Sequence, residues 1–409
     1  MDATHTDLTA PSVFDDPNPV YDAIRDHVSV HWNESLRGWV VTRHADVKSA
    51  LKDARLSVEK LEPFAERVGG DPHSDIQVMA RALADWMVFK DPPRQAELRR
   101  AMQNAFMARD TPVLEPMIGA IVDEMLDELM PVDDRRVHVD LVERFAQKVP
   151  SIVISDLFGL PREERAELNA WSHQLSDFVL ASVDAADRRE TAAAVVVKMV
   201  ARFHRLIRDH RASHPMPENF TSLLLRDGAH LSDDEIVHTL ILVLFAGHET
   251  TANLIASGML TLIRAPKLMG ALAEQPDLIE AAVEEFLRLD GPVHMVFRIA
   301  KQPVRYAGVD IPAGDRLYLV LNAANRDPTV FDRPDAVDLA RRRFQHVSFG
   351  PGTHMCLGAP LARLVARIAL QGLLARCAGF RLETDTPRWR RQLISHGLQS
   401  LPVSFVSKR

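Results

Sequence analysis

Phe349-Gly350-Pro351-Gly352-Thr353-His354-Met355-Cys356-Leu357-Gly358-Ala359 is a glycine-punctuated loop that delivers one cysteine to the start of a helix. Gly350, Gly352 and Gly358 let the backbone turn sharply and approach a flat ligand closely. From Leu357 to about Ala378 the residues Leu361, Leu364, Val365, Ile368, Ala369, Leu373 and Leu374 recur at three- and four-residue steps, which predicts a helix. Pro360 suits its first turn, where there is no backbone donor to lose. Cys356 therefore falls where free N–H groups and the positive end of a helix dipole converge, an environment that stabilises a thiolate.

A lone cysteine beside a glycine turn can be inert core. As a zinc site it is poor, because no second Cys or ligating His stands at the usual spacing and His354 is too near to complete a tetrahedral set. A haem iron asks the protein for a single axial ligand. The stretch resembles the haem-ligand loop of the cytochromes P-450, Phe-Gly-x-Gly-x-His-x-Cys-x-Gly, with every fixed position matched. That resemblance implies a mainly α chain with a smaller β-rich part, forming one domain over residues 1–409. Haem b (iron protoporphyrin IX) would lie between a long central helix and the Cys-loop helix. It makes Cys356 the thiolate ligand of the iron, sets Phe349, Gly350 and Gly358 around the cofactor, and gives His354 to a propionate.

Composition agrees with a soluble globular chain: 46% hydrophobic and 26% charged. The 409 residues would by length alone suggest two or three domains, a prior that the resemblance replaces with one. A net charge of −7 speaks against a nucleic-acid binder. Only Cys356 and Cys377 are present, so a disulfide framework is excluded and a reducing, cytoplasmic compartment is expected. Cys377 reads as inert core. Met1 to Asp16 holds no apolar run, so neither signal peptide nor membrane anchor is expected. Residues 357–409 are too few for a flavin or iron–sulfur domain, and there is no Gly-x-Gly-x-x-Gly fingerprint. Electrons would come from a separate ferredoxin and an NAD(P)H-linked ferredoxin reductase.

A second constellation lies upstream. Leu231-Ser-Asp-Asp-Glu235 is a helix start, with Ser232 as cap and Glu235 three residues on. The helix runs to about Arg264 and is nearly all apolar after His238, hence buried. In its middle stands Ala246-Gly247-His248-Glu249-Thr250-Thr251. Gly247 costs about 1 kcal/mol relative to Ala in a helix, and room for something packed against the axis explains it. Alone, the stretch could be a structural bend. It resembles the oxygen-binding groove of the same family, where splitting the O–O bond consumes protons that a hydroxyl and a carboxylate must relay. The resemblance implies Thr250 holding the hydrogen-bond network, Glu249 supplying protons, Ala246 and Gly247 against the cofactor, and His248 pointing away. Val243 and Thr239, three or four residues back on the same face, would look onto substrate.

Elsewhere the family pattern assigns Arg99 and Arg298 to the haem propionates, whose charge must be neutralised when buried. Arg99 read by itself is equally a solvated helix residue, and Gln95 stands where many members have a charged His. Glu285 and Arg288 share a helix face; with Arg341 they match the family's structural trio that fixes the Cys loop. Val293, Met295 and Val296 are candidate pocket residues or core. His396, in the turn Ile394-Ser-His-Gly397, touches substrate or is exposed, and the segment to Trp86 covers the pocket. Val28–Trp32 and Gly38–Thr42 alternate like a hairpin. Thr111–Leu129 and Val142–Leu157 read as amphipathic helices, and Arg162–Arg211 as helical with His173, His204 and His210 at its surface. Pro63–His73 reads as a loop. Arg94, Arg99, Arg100, Arg109, Arg342 and Arg343 would offer an acidic ferredoxin a basic face. The function implied is a monooxygenase that uses O2 on a small or medium apolar organic substrate, by hydroxylation or oxidative dealkylation. The alternatives are a peroxide-driven peroxygenase or isomerase, and a non-catalytic haem protein.

Overall fold

The computed structural model describes residues 6–59, 71–107, 111–130, 136–182, 187–341 and 345–408. Most of the loop expected at Pro63–His73 lies outside these, as do Arg109, Arg342 and Arg343. The chain divides into two compact units. One comprises residues 1–57, 119–149 and 250–409, the other residues 58–118 and 150–249.

The first unit holds the strands. β1 (Val30–Asn33) and β2 (Gly38–Val41) form the expected antiparallel hairpin, with Val30 opposite Val41. They extend into a five-stranded sheet with β3 (Leu56–Ser57), β5 (Met295–Ala300) and β8 (Arg316–Val320), in the order β1-β2-β8-β5-β3. Alternation along β5 sends neighbouring side chains to opposite faces. Met295 is buried with Leu8, Tyr21, Ile24 and Val40, while Val296 packs on the other side against the cluster of Val47, Leu51, Leu317 and Leu319. A second sheet joins β4 (Val137–Asp140), β9 (Cys377–Leu382) and β10 (Pro402–Ser407) in the order β4-β10-β9, and β6 (Val304–Tyr306) pairs with β7 (Val309–Ile311). The helices Ile279–Asp290 and Ala359–Arg376 belong to this unit.

The second unit is helical. It contains Asp75–Ala84, Arg94–Met107, Arg165–Val179, Arg188–Ala212 and Phe220–Asp227. The stretch expected to be helical from Arg162 to Arg211 is so, with a break after Val179, where Ala181 takes a positive φ of 56°. Val142–Leu157 also differs from its reading. It is a π-helical turn, Val142–Ala146, followed by the helix Lys148–Phe158. Pro150 is the reason: its nitrogen cannot donate to the carbonyl of Ala146 and its ring crowds that carbonyl, so the turn widens.

The 32-residue helix Asp233–Arg264 starts as the capping box predicts. Glu235 N–H donates to Ser232 Oγ at 3.2 Å, and Ser232 N–H to Glu235 Oε2 at 2.9 Å. Among the described residues it is the one helix long and apolar enough to cross a membrane, and 83% of its most apolar window is buried inside the protein. It is a core helix.

Candidate haem-thiolate site

The cysteine loop is fastened at both ends. On its near side Asn325 Oδ1 accepts from Val347 N–H at 2.7 Å, Asn325 Nδ2 donates to Ser348 Oγ at 2.8 Å, and Ser348 Oγ donates to the carbonyl of Leu287 at 2.7 Å. Glu284 spans the loop: it takes His346 Nε2 at 3.0 Å before the cysteine and the Arg363 guanidinium after it. Burial pushes the Glu284 carboxyl up, but the bonds from His346 and Arg363 outweigh it and hold it down at about 2. Arg363 also lies over the Phe349 ring, 4.4 Å from its centre. Sequence reasoning missed Ser348 and Glu284, which no local pattern marks, and saw Asn325 only as part of the family turn Ala324-Asn-Arg-Asp-Pro328.

Within the loop, Gly350 N–H bonds the Val347 carbonyl at 2.8 Å and Cys356 N–H bonds the Phe349 carbonyl at 2.9 Å. Gly352 needs to be glycine twice over: its φ is +113°, and a Cβ there would stand 2.8 Å from the Leu51 carbonyl oxygen. Cys356 itself is exposed. Cys377 is the opposite case, buried beside Met130 with its thiol pushed up to about 12 by burial. One soft donor, exposed on an anchored loop, suits a metal centre that takes a single protein ligand.

Glu285, Arg288 and Arg341 are brought together as expected. Glu285 and Arg288 are both fully buried, paired through Nε–Oε1 at 2.8 Å and Nη2–Oε2 at 2.9 Å. Arg341 Nε reaches Glu285 Oε1 at 2.9 Å. The remaining Arg288 donors go to the carbonyls of Asn325, Pro334 and Ala336. The charge is thus surrounded by partners, the condition for burying it. Arg298 is buried on β5 and donates to the Phe297 carbonyl at 2.8 Å, and His354 is half-buried in the loop.

The long helix opens where the sequence says it should. Between Leu240 and Met259 nearly every residue is buried, yet Ala246 is exposed and Gly247 and Thr250 are half-buried. Ala246 and Thr250 are one turn apart and share a face. Gly247 has a different reason from the one expected: a Cβ there would stand 2.6 Å from Ile154 Cδ1, so its room is used by the helix Lys148–Phe158. Val243 and Thr239 are buried. His248 points at the helix Arg165–Val179, its Nδ1 3.2 Å from Ser172 Oγ. Glu249 points the same way, to His173.

Three readings change. Trp86 is 1% exposed and stacks on Phe245 at 5.2 Å and Phe89 at 6.0 Å, an aromatic core in place of a pocket cover. His210 is buried, paired with Asn219. His396 is buried too: Nδ1 is 2.8 Å from Asp290 Oδ1, Nε2 is 3.2 Å from the Phe14 carbonyl, and the ring stacks on Trp389 and His294.

That cluster should make the fold acid-sensitive. Burial pushes the Asp290 carboxyl up, but His396 and His294 outweigh it and hold it far below the carboxylate range; burial lowers His294 to about 4. A His with a depressed folded value stabilises fully above about 6.5 and loses that contribution as pH falls towards 4, about 3 kcal/mol for His294. Asp290, also depressed, keeps its contribution above its unfolded value and loses it at lower pH still. Urea unfolding between pH 7 and 4.5 should show His294→Gln losing less stability than the parent; equal slopes would refute the assignment.

The Cytochrome P450 family model matches residues 71–395. The chain is 37% identical over 382 residues to Cytochrome P450 107B1 of Saccharopolyspora erythraea, covering 90% of this chain and 89% of that protein. It is 36% identical to a Vitamin D(3) 25-hydroxylase of Pseudonocardia autotrophica, over 98% of this chain and 96% of the relative. Among solved structures it is similar to P450BioI in complex with hexadec-9Z-enoic acid ligated acyl carrier protein, with a TM-score of 0.87 and 33% identity, over 96% of this chain and all of that one. The chain belongs to the cytochrome P450 family and is a haem-thiolate monooxygenase of the soluble bacterial type.

Proposed function

We propose that Cys356 is the axial thiolate, that Arg99, Arg298 and His354 neutralise the haem propionates, and that Thr250 and Glu249 manage protons, within a single P450 domain of residues 1–409. The exposure of Cys356 on a loop clamped at both ends carries this reading. When bound, the haem supplies O2 activation and oxygen insertion into a C–H bond, with thiolate donation favouring O–O cleavage. The protein's part is positional. Glu284, Ser348 and Asn325 hold the thiolate's loop. The Thr250 hydroxyl, on the open face of the long helix, both donates and accepts, so it can hold a hydrogen-bonded chain, and Glu249 one residue earlier gives up and regains a proton.

The substrate of this reading is a small or medium, mostly apolar organic molecule. Val243 and Val293 are apolar, and a relative named for vitamin D(3) and a neighbour bound to a hexadecenoyl chain both handle apolar carbon frames. Electrons come from a ferredoxin and its reductase in the cytoplasm. Arg99 and Arg100 remain candidates for the docking face; Arg94 is committed to Glu97 and Glu235. A spectral-shift screen of the purified ferric protein with apolar ligands should give saturable shifts towards the substrate-bound form, and no response from any apolar class would remove the substrate assignment. With a ligand so found, Thr250→Ala should leave the shift intact, lower product by about 10-fold or more, and raise hydrogen peroxide release; fully coupled turnover would take Thr250 out of the mechanism.

A further inference from the structure

We propose that His173 is the residue through which solvent protons reach Glu249, a positioning residue that acts on the reaction through that carboxylate; the inference rests on the proton role given to Glu249 above. His173 sits on the helix Arg165–Val179 with its Nδ1 2.9 Å from Glu249 Oε2. Its side chain is 21% exposed and that of Glu249 is 2% exposed. His173 thus spans from the surface to a buried carboxylate. Beside His173 on its helix Ser172 and Ser176 are fully buried, and a carboxylate buried to this degree is costly unless it is paired. Behind it His248 is fully buried, edge-on to the His173 ring at 5.0 Å and tied through Nδ1 to Ser172. The donor atoms of His173, His248 and Glu249 all lie within 4.8 Å of one another.

The geometry is that of a relay more than of a fixed ion pair. The 2.9 Å separation is short, yet the two atoms are not aligned as a hydrogen bond, and both ring nitrogens of His173 are covered, so its exposure falls on its carbon atoms. A half-turn about the broad second torsion of a His carries Nδ1 from the carboxylate to the place its ring carbon held. Imidazole is the side chain suited to taking and giving protons near neutrality. Charged His173 passes its Nδ1 proton to Glu249 Oε2, turns, and regains a proton from water. Glu249 lies about 60° from Ala246 around the helix, so it borders both the His173 side and the open face that carries Thr250. Two such passes supply the two protons that, with two electrons from the external donor, convert O2 and a C–H substrate into alcohol and water.

His173→Gln keeps a polar side chain of similar reach but cannot carry a proton. In the holoenzyme it should leave the substrate spectral shift and the carbonyl spectrum unchanged, lower oxygen-dependent product formation by about 10-fold, and enlarge the solvent deuterium isotope effect on turnover. Independently of turnover, the 15N-histidine spectrum of the reduced, carbon monoxide-bound protein should show the His173 resonances, identified by their loss in His173→Gln, moving in Glu249→Gln. Unchanged turnover and isotope effect in His173→Gln, with Glu249→Gln impaired, would overturn the relay and leave the role of Glu249 standing. Unimpaired Glu249→Gln would overturn that role itself. If His173→Gln fails to hold haem, His173→Asn supplies the assignment, and His173 resonances indifferent to Glu249→Gln would rule the pairing out.

Discussion

Cys356→Ser should yield a protein without a thiolate-type ferrous carbonyl spectrum and without monooxygenase turnover, whereas Cys377→Ser should retain both. The contrast follows from where the two thiols stand. Cys356 is exposed at the end of an anchored loop, and serine offers a neutral hydroxyl in place of an ionisable soft sulfur. Cys377 is 2% exposed, touches Met130, and has a thiol pushed up to about 12 by burial, so it is neutral and out of reach. In the haem-free chain the loss in Cys356→Ser should not be a folding defect, because an exposed substitution of this kind shifts stability by about 0.5 kcal/mol or less. Urea unfolding of the haem-free forms checks that, and absorbance of the reduced carbonyl complexes checks ligation. A serine variant that keeps the thiolate-type band would place the iron ligand elsewhere.

What the sequence disclosed divides by range. The Cys loop, the capping box at Ser232 and the Ala246/Thr250 face are local patterns: periodicity, glycine punctuation and one-turn spacing reveal them without knowing what they pack against. The pairing of Glu285 with Arg288 was legible for the same reason, and Arg341 only through resemblance. Glu284 shows the limit. It adjoins Glu285, yet its partners are 62 and 79 residues away, so nothing nearby separates it from a surface acid. Gly247 was read as room for a ligand because a small residue reports space and not its occupant, which is Ile154. His396 and His173 each looked like surface histidines, since a lone polar residue carries no periodic signal of the acid it meets. Trp86 is core because Phe89 and Phe245 converge on it, and only the first is near in sequence. The π turn at Val142–Ala146 is a case where the cause was visible in Pro150 and its consequence was not drawn.

Arg288→Leu should be the most destabilising single change in the first unit, by about 3–5 kcal/mol, and should also lower haem retention. Leucine fills part of the volume but leaves the Glu285 carboxylate fully buried with two of its bonds gone, and strips donors from the carbonyls of Asn325, Pro334 and Ala336. Asn325 then loses a fixed point while its side chain still holds Val347 and Ser348 at the start of the Cys loop, so the damage passes along the chain towards Cys356. Acid should act on the same group. Burial raises the Glu285 carboxyl, but Arg288 and the Asp338 N–H outweigh it and hold it below the usual range; its contribution is present above the unfolded value and lost as pH falls, and Arg288→Leu should remove that acid-side loss. Lys148→Ala, breaking a pair with Glu128 in which both partners are exposed, should cost about 1 kcal/mol or less. Urea midpoints of the three proteins at pH 7, with haem content per chain, measure the difference. Similar midpoints for Arg288→Leu and Lys148→Ala would mean that Glu285 finds other partners when Arg288 is gone, and that the segment before the Cys loop is held by Arg341 and Asn325 alone.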